Sequence, residues 1–156
     1  MLLKLKPLFD GEDGERTVET DIPVSEMDKY KGVGDFITPV SLKGKTVCRA
    51  GIVTLSYNLD YTVSHICDRC SAEFTRRYNQ DFTHILVRGD EDNENLPDDD
   101  EYVYCSGETL DLNELAISDL LLSMPTKILC RDDCKGICPE CGKNLNDGDC
   151  GCESDQ

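Results

Sequence analysis

From Val53 to Ser64 apolar and polar residues alternate without a break. Val53, Leu55, Tyr57, Leu59, Tyr61 and Val63 take one face, and Thr54, Ser56, Asn58, Asp60, Thr62 and Ser64 take the other. Period two over this length predicts a long strand with one buried face and one wet face. Residues 38–48, with Val40, Leu42 and Val47, are expected to pair with it through a turn near Arg49-Ala50-Gly51. Beyond it, Phe74, Tyr78, Phe82 and Leu86 on even positions mark a second long strand. Cys67-Asp68-Arg69-Cys70 then falls at the tip of a long hairpin.

The rest of the chain is less regular. Residues 2–9 and 16–22 read as short strands around the turn Gly11-Glu12-Asp13-Gly14. Residues 25–37 fit no single pattern, with Lys31-Gly32-Val33-Gly34-Asp35 loop-like, and residues 102–105 read as one further strand. A helix is expected over 111–124. Asp111 and Glu114 resemble a capping box, and Leu112, Ala116 and Leu120 recur every four residues. Leu115, Ile117, Leu121 and Met124 widen that stripe, and Pro125 stops it. The apolar face is assigned to the sheet, with a partner-binding helix as the alternative.

The picture is of one α+β domain: an antiparallel, partly barrel-like sheet, one packed amphipathic helix and a zinc-stapled C-terminal tail. A β-rich core over 1–125 is expected to carry a cysteine-rich tail, 126–152, packed against it. Residues 90–101, DEDNENLPDDDE, read as an acidic mobile loop, since they lack the Gly and the terminal Glu of a calcium-binding EF-hand loop.

Charge narrows the function classes. There are 32 acidic residues against 16 basic ones, a net charge of −16. A uniformly positive face for phosphate backbones is ruled out, and a basic protein partner is easier to accommodate. Lys4, Lys6 and Pro7 interrupt the N-terminal apolar run before a signal-peptide core forms, and no stretch reaches the length of a membrane span. A cytoplasmic protein is expected, with no membrane partner. In such a reducing compartment clustered cysteines read as metal ligands or redox groups before disulfides.

Ten cysteines occur. Cys48 and Cys105 stand alone in strand-like stretches and read as core residues. The others fall into four pairs: Cys67/Cys70, Cys130/Cys134, Cys138/Cys141 and Cys150/Cys152. Two thiolates on one short turn reach one ion, and eight sulfurs make two tetrahedral sites of four cysteines each. Cys138-Pro139-Glu140-Cys141-Gly142 has the form of a metal knuckle. The tail holds few apolar residues beyond Ile137 and Leu145, so metal must supply its folding free energy. Zinc is the favoured ion, two per chain and structural, because closed thiolate sites leave no open position for chemistry. Loop closure favours joining Cys138/Cys141 to Cys150/Cys152, and Cys67/Cys70 to Cys130/Cys134. A rubredoxin-like iron site would instead join Cys67/Cys70 to Cys138/Cys141. Eight thiolates and two Zn2+ would bring the net charge to roughly −20.

No catalytic residues stand out: no nucleophile–base spacing, no phosphate-binding Gly-rich loop and no H-E-x-x-H. No small-molecule substrate is expected. His65 is close enough to Cys67 to be an alternative ligand, and the plainer reading for it and His84 is a hydrogen-bonded histidine. Arg69, Arg76, Arg77, Arg88, Lys43 and Lys45 make the hairpin the least acidic region, and the candidate contact for RNA or an acidic partner.

Taken together, C-D-R-C on a hairpin, L-D-L before a leucine-rich helix and L-C-x-x-D-C-K-G-x-C-P-x-C-G-x-N-L-N-x-x-x-C-x-C resemble the bacterial and plastid YceD family in its cysteine-rich-tail form. The resemblance covers about residues 40–152, and the tail signature is its specific part. It implies a non-enzymatic role in ribosome biogenesis, the accumulation of large-subunit (23S) ribosomal RNA. The partner would be pre-ribosomal large-subunit RNA or a basic ribosomal or assembly protein. A zinc-bearing interaction module unrelated to ribosomes and an iron-binding redox carrier remain as alternatives.

Overall fold

The structure is a computed structural model that describes residues 1–11, 14–30, 32–89 and 101–152. Its centre is the hairpin of β5 (Ile52–Ile66) and β6 (Glu73–Arg88), paired in one unbroken register from Val53↔Leu86 to Ile66↔Glu73. On β5 the odd positions from Val53 to His65 are all buried, as the alternation requires. β4 (Val40–Arg49) precedes β5 through a two-residue turn at Ala50 (φ 51°) and Gly51 (φ 79°). Two successive positive φ values match the right-handed twist of the flanking strands.

β2 (Gly14–Ile22) pairs with β4, and β7 (Tyr102–Cys105) adds in parallel to the end of β6. β3 (Asp35–Phe36) pairs with β5 at Val63 and Ser64, past the end of β4. The sheet order is β2-β4-β5-β6-β7, with β2 and β7 as unjoined ends. This corrects the barrel-like expectation: the sheet is open. Helices, rather than closure, cover its core face. Leu8 of α1 (Lys6–Phe9), Met27 of α2 (Val24–Met27) and Leu112, Ala116, Ile117 and Leu120 of α3 (Leu112–Ser123) share one cluster with Val40, Leu42, Leu55 and Leu59.

Residues 2–9 are likewise not one strand. β1 (Leu2–Lys4) pairs with β8 (Thr109–Asp111), and Pro7 then opens the single turn α1. Proline presets φ for a first helical turn and lacks a donor that a strand would need. The helix begins as the sequence predicts: the Asp111 carboxylate accepts from the Asn113 and Glu114 N–H groups at 3.0 and 3.4 Å. Cys48 and Cys105 are buried in the core cluster. The acidic segment, apart from Glu101, lies outside the described residues.

The path of α3 and the segment after it positions the tail. Asp119 meets His84, Ser123 meets Gln80, and the Leu129 carbonyl meets Arg76. The chain thus runs over the core face from the hairpin base towards its tip, and delivers Cys130 and Cys134 there.

Candidate metal centres

The first knuckle is built on the turn between β5 and β6. The Cys67 N–H donates to Ala72 O at 2.9 Å, and the Ser71 N–H donates back to Cys67 O at 3.0 Å. The second knuckle repeats this geometry: Cys138 N–H to Lys143 O at 2.8 Å, and Gly142 N–H to Cys138 O at 2.9 Å. Gly142 has φ 72°, a value glycine adopts freely, whereas Ser71 holds φ 59° with a side chain. The two C-x2-C loops are one device used twice.

Eight sulfurs gather into two groups, Cys67/Cys70/Cys130/Cys134 and Cys138/Cys141/Cys150/Cys152, each with all sulfurs within 4.8 Å of one another. In the first group Cys67 and Cys134 are 3.7 Å apart, as are Cys70 and Cys130. A disulfide needs about 2.0 Å. A tetrahedron with metal–sulfur bonds of about 2.3 Å has edges of about 3.8 Å. The spacing therefore fits four ligands around one ion. Cys67/Cys70 join Cys130/Cys134, so the rubredoxin-like pairing with Cys138/Cys141 is not the one built.

The surroundings favour thiolates. Burial opposes ionisation of Cys67, but backbone N–H groups of Cys70, Cys130 and Arg69 outweigh it and bring the thiol down to about 6. The Cys130 N–H lies 3.3 Å from the Cys67 sulfur. The Asn146 amide holds Cys134 below the ordinary thiol value, donating at 3.3 Å. Cys138 falls to about 7 through the N–H groups of Cys141 and Glu140. In each group one thiol moves the other way. Burial and neighbouring thiols push Cys130 up to about 12, and the thiols of Cys141 and Cys150 do the same to Cys152. Four thiols this close cannot all ionise on N–H donors alone, and a bound metal cation would supply the missing charge.

The centres differ in cover. Three of the four ligands are buried in the first, while Cys141 and Cys152 of the second are exposed. Asn146 joins them. It sits between the two cysteine pairs of the second centre, accepts from the Lys135 N–H at 2.9 Å and donates to Cys134 of the first. No ligand-spacing rule reveals such an amide, so its role is legible only in the structure. Asp68 is similar: its N–H donates to Ile128 O at 2.8 Å and its carboxylate accepts from Ile128 N–H at 2.6 Å, strapping tail to knuckle.

Each of the six basic residues singled out from sequence has a partner within the chain. Arg69 donates to Cys134 O at 3.0 Å and Arg76 to Leu129 O at 2.6 Å, so both hold the tail. Arg77 makes a two-point contact with Asp60, and Arg88 meets Asp10 at 2.7 Å. Lys43 and Lys45 lie 3.2 Å from Glu19 and Glu15. His65 stands outside both sulfur groups, with Nε2 2.9 Å from the Tyr78 hydroxyl. His84 Nε2 lies 2.6 Å from the Asp119 carboxylate, which also accepts from the Tyr57 hydroxyl.

A profile described as large ribosomal RNA subunit accumulation protein YceD matches residues 55–156, which takes in both knuckles and every ligand. The chain belongs to the YceD family. An uncharacterized protein of Mycobacterium bovis and two of Mycobacterium tuberculosis strains are 32 % identical to it over 79 residues. The match covers 51 % of this chain and 38 % of each of theirs, so this chain aligns with under two fifths of those relatives. No solved structure matches the chain. Among the described residues no helix is long and apolar enough to cross a membrane.

Proposed function

We propose that the chain is a non-enzymatic, cytoplasmic ribosome-biogenesis factor that supports accumulation of large-subunit (23S) ribosomal RNA, with structural zinc in both sulfur centres. The observation that carries the role is the family match, whose span includes all eight ligands. Zinc is favoured because closed thiolate-only tetrahedra need no redox activity of the ion and leave no position for substrate. Residues Cys67, Cys70, Cys130 and Cys134 would hold one ion, and Cys138, Cys141, Cys150 and Cys152 the other. Each ion would supply folding free energy to a segment with little apolar core of its own.

The partner is pre-ribosomal RNA or a basic protein of the assembling subunit. The pairing of Arg77, Arg88, Lys43 and Lys45 with acids supports the second. The test is the ratio of large- to small-subunit RNA in cells lacking the protein. A fall that the wild-type gene restores is expected, and a normal ratio would refute the role. A red protein with visible absorbance would favour iron over zinc, whereas zinc gives a colourless one.

A further inference from the structure

β6 is longer than the described strand that pairs with its outer side. Among the described residues, the side away from β5 is paired only over Ile85–Arg88, by β7. The Ile85 N–H points outward, to Glu101 O at 2.7 Å, and so does the Gly89 N–H, to Cys105 O at 3.2 Å. The β5 register has no break, so the same outward direction holds for every odd residue back to Glu73. Among the described residues, no backbone hydrogen bond reaches the outward groups of Glu73, Thr75, Arg77, Asn79, Asp81 and Thr83. All six side chains are exposed on the polar face.

The other face of this edge is incompletely covered. Phe74, Tyr78 and Phe82 are half-buried where their partners on β5, His65, Tyr61 and Tyr57, are buried. The opposite end of the sheet differs. β2 also has an open side, but it carries Glu15, Arg16, Glu19 and Asp21 and no aromatic residue. That is the usual protection of a sheet edge by charge.

Charge identifies the occupant. From Glu101 to Thr126 the chain has five acidic residues and no Lys or Arg. This stretch includes β7, which continues the β6 edge, and α3, which crosses its core face. A second copy would bring the same negative field, and RNA phosphates would meet it directly.

We infer that the outer edge of β6, residues 73–83, accepts an extended lysine- or arginine-rich segment of a protein partner by strand addition. Main-chain hydrogen bonds to the six odd residues supply affinity. Alternate apolar side chains of the added strand cover Phe74, Tyr78 and Phe82, while its basic side chains, on the polar face, meet Glu73 and Asp81, Arg77 there being paired with Asp60. The inference rests on the reading above that the chain works by binding, and names the partner class and the surface.

The test uses the metal-loaded full chain and a labelled decapeptide of alternating Lys and Val. Slower amide exchange at odd residues 75–83 on binding is expected. Thr75→Pro and Asn79→Pro each remove an outward N–H without touching the β5 ladder, and each should weaken the peptide at least tenfold while metal content stays unchanged. A Glu/Val peptide should not bind. The inference is overturned if the prolines leave peptide affinity unchanged, if the protection falls elsewhere, if the edge pairs with a second copy instead, or if a single-stranded RNA protects these amides. Should the proline variants lose their metal, exchange on the wild-type protein decides alone. The two readings separate in cells. Full restoration of the RNA ratio by Thr75→Pro would sink the edge inference and leave the ribosomal role. A normal ratio in the deletion would sink the role and leave the peptide result standing.

Discussion

At the residue scale, the two knuckles set Ser71 against Gly142 in one backbone geometry. Both make the same N–H to Cys O bond, but only Ser71 carries a Cβ in the left-handed region. That conformation costs a side-chain-bearing residue about 1 kcal/mol. Ser71→Gly should therefore stabilise the loaded protein by about 1 kcal/mol in denaturant unfolding, and a loss would show that the hydroxyl matters more than the strain. Asn146 tests the link between the centres. Asn146→Ala should lower metal affinity at the first centre by roughly 10- to 100-fold in chelator competition, the usual scale for a lost outer partner. Unchanged affinity would mean that its contact with Cys134 is incidental.

Tyr57 gives a pH signature. Its hydroxyl is pushed well above the ordinary tyrosine value by burial first, then by the hydrogen bond and charge of Asp119. A folded-state value above the unfolded one means stability is fully present below about pH 10 and falls as pH rises past it. Tyr57→Phe should flatten part of that alkaline fall in pH-dependent melts. Parallel curves for the two proteins would contradict the assignment. The cysteines were legible because ligand spacing is local. Asn146, Asp68 and the Tyr57–Asp119–His84 contact were not, since each depends on groups brought together by tertiary structure.

At the element scale, legibility follows length and one-sided burial. β5 and α3 could be read because each presents a long face to the core, at period two in one and near four in the other. The short pieces could not. α1, α2 and β3 are four residues or fewer, and a single turn has no period to detect. β1 pairs with β8 across most of the chain's length, a partnership that no local pattern records. The barrel-like reading failed for a related reason. Alternation shows that one face is buried, but not whether other strands or helices bury it. Because α3 supplies that cover, Leu120→Ala should cost about 2–5 kcal/mol in unfolding free energy. Leu122, 83 % exposed on the outer side of the same helix, should tolerate alanine. Equal effects would mean that the helix packs by a different face.

At the scale of the whole molecule, the first sulfur group ties the far end of the hairpin to a tail that follows α3. The second folds the tail on itself, and Asn146 couples them. Arg69 and Arg76 take part in this architecture by holding tail carbonyls. The family resemblance could be read from the cysteine signature, but the disposition of charge could not, because ion pairing is settled only by the fold. Central to all of this are the two four-thiolate centres, each spaced to hold one metal ion. Native mass spectrometry of the intact chain, purified without chelator, tests this most directly. Two ions per chain are predicted, with all eight ligand thiols resisting alkylation until a chelator is added, and one ion retained by Cys138→Ser. A metal-free folded chain, or the same eight cysteines joined in disulfides, would contradict it.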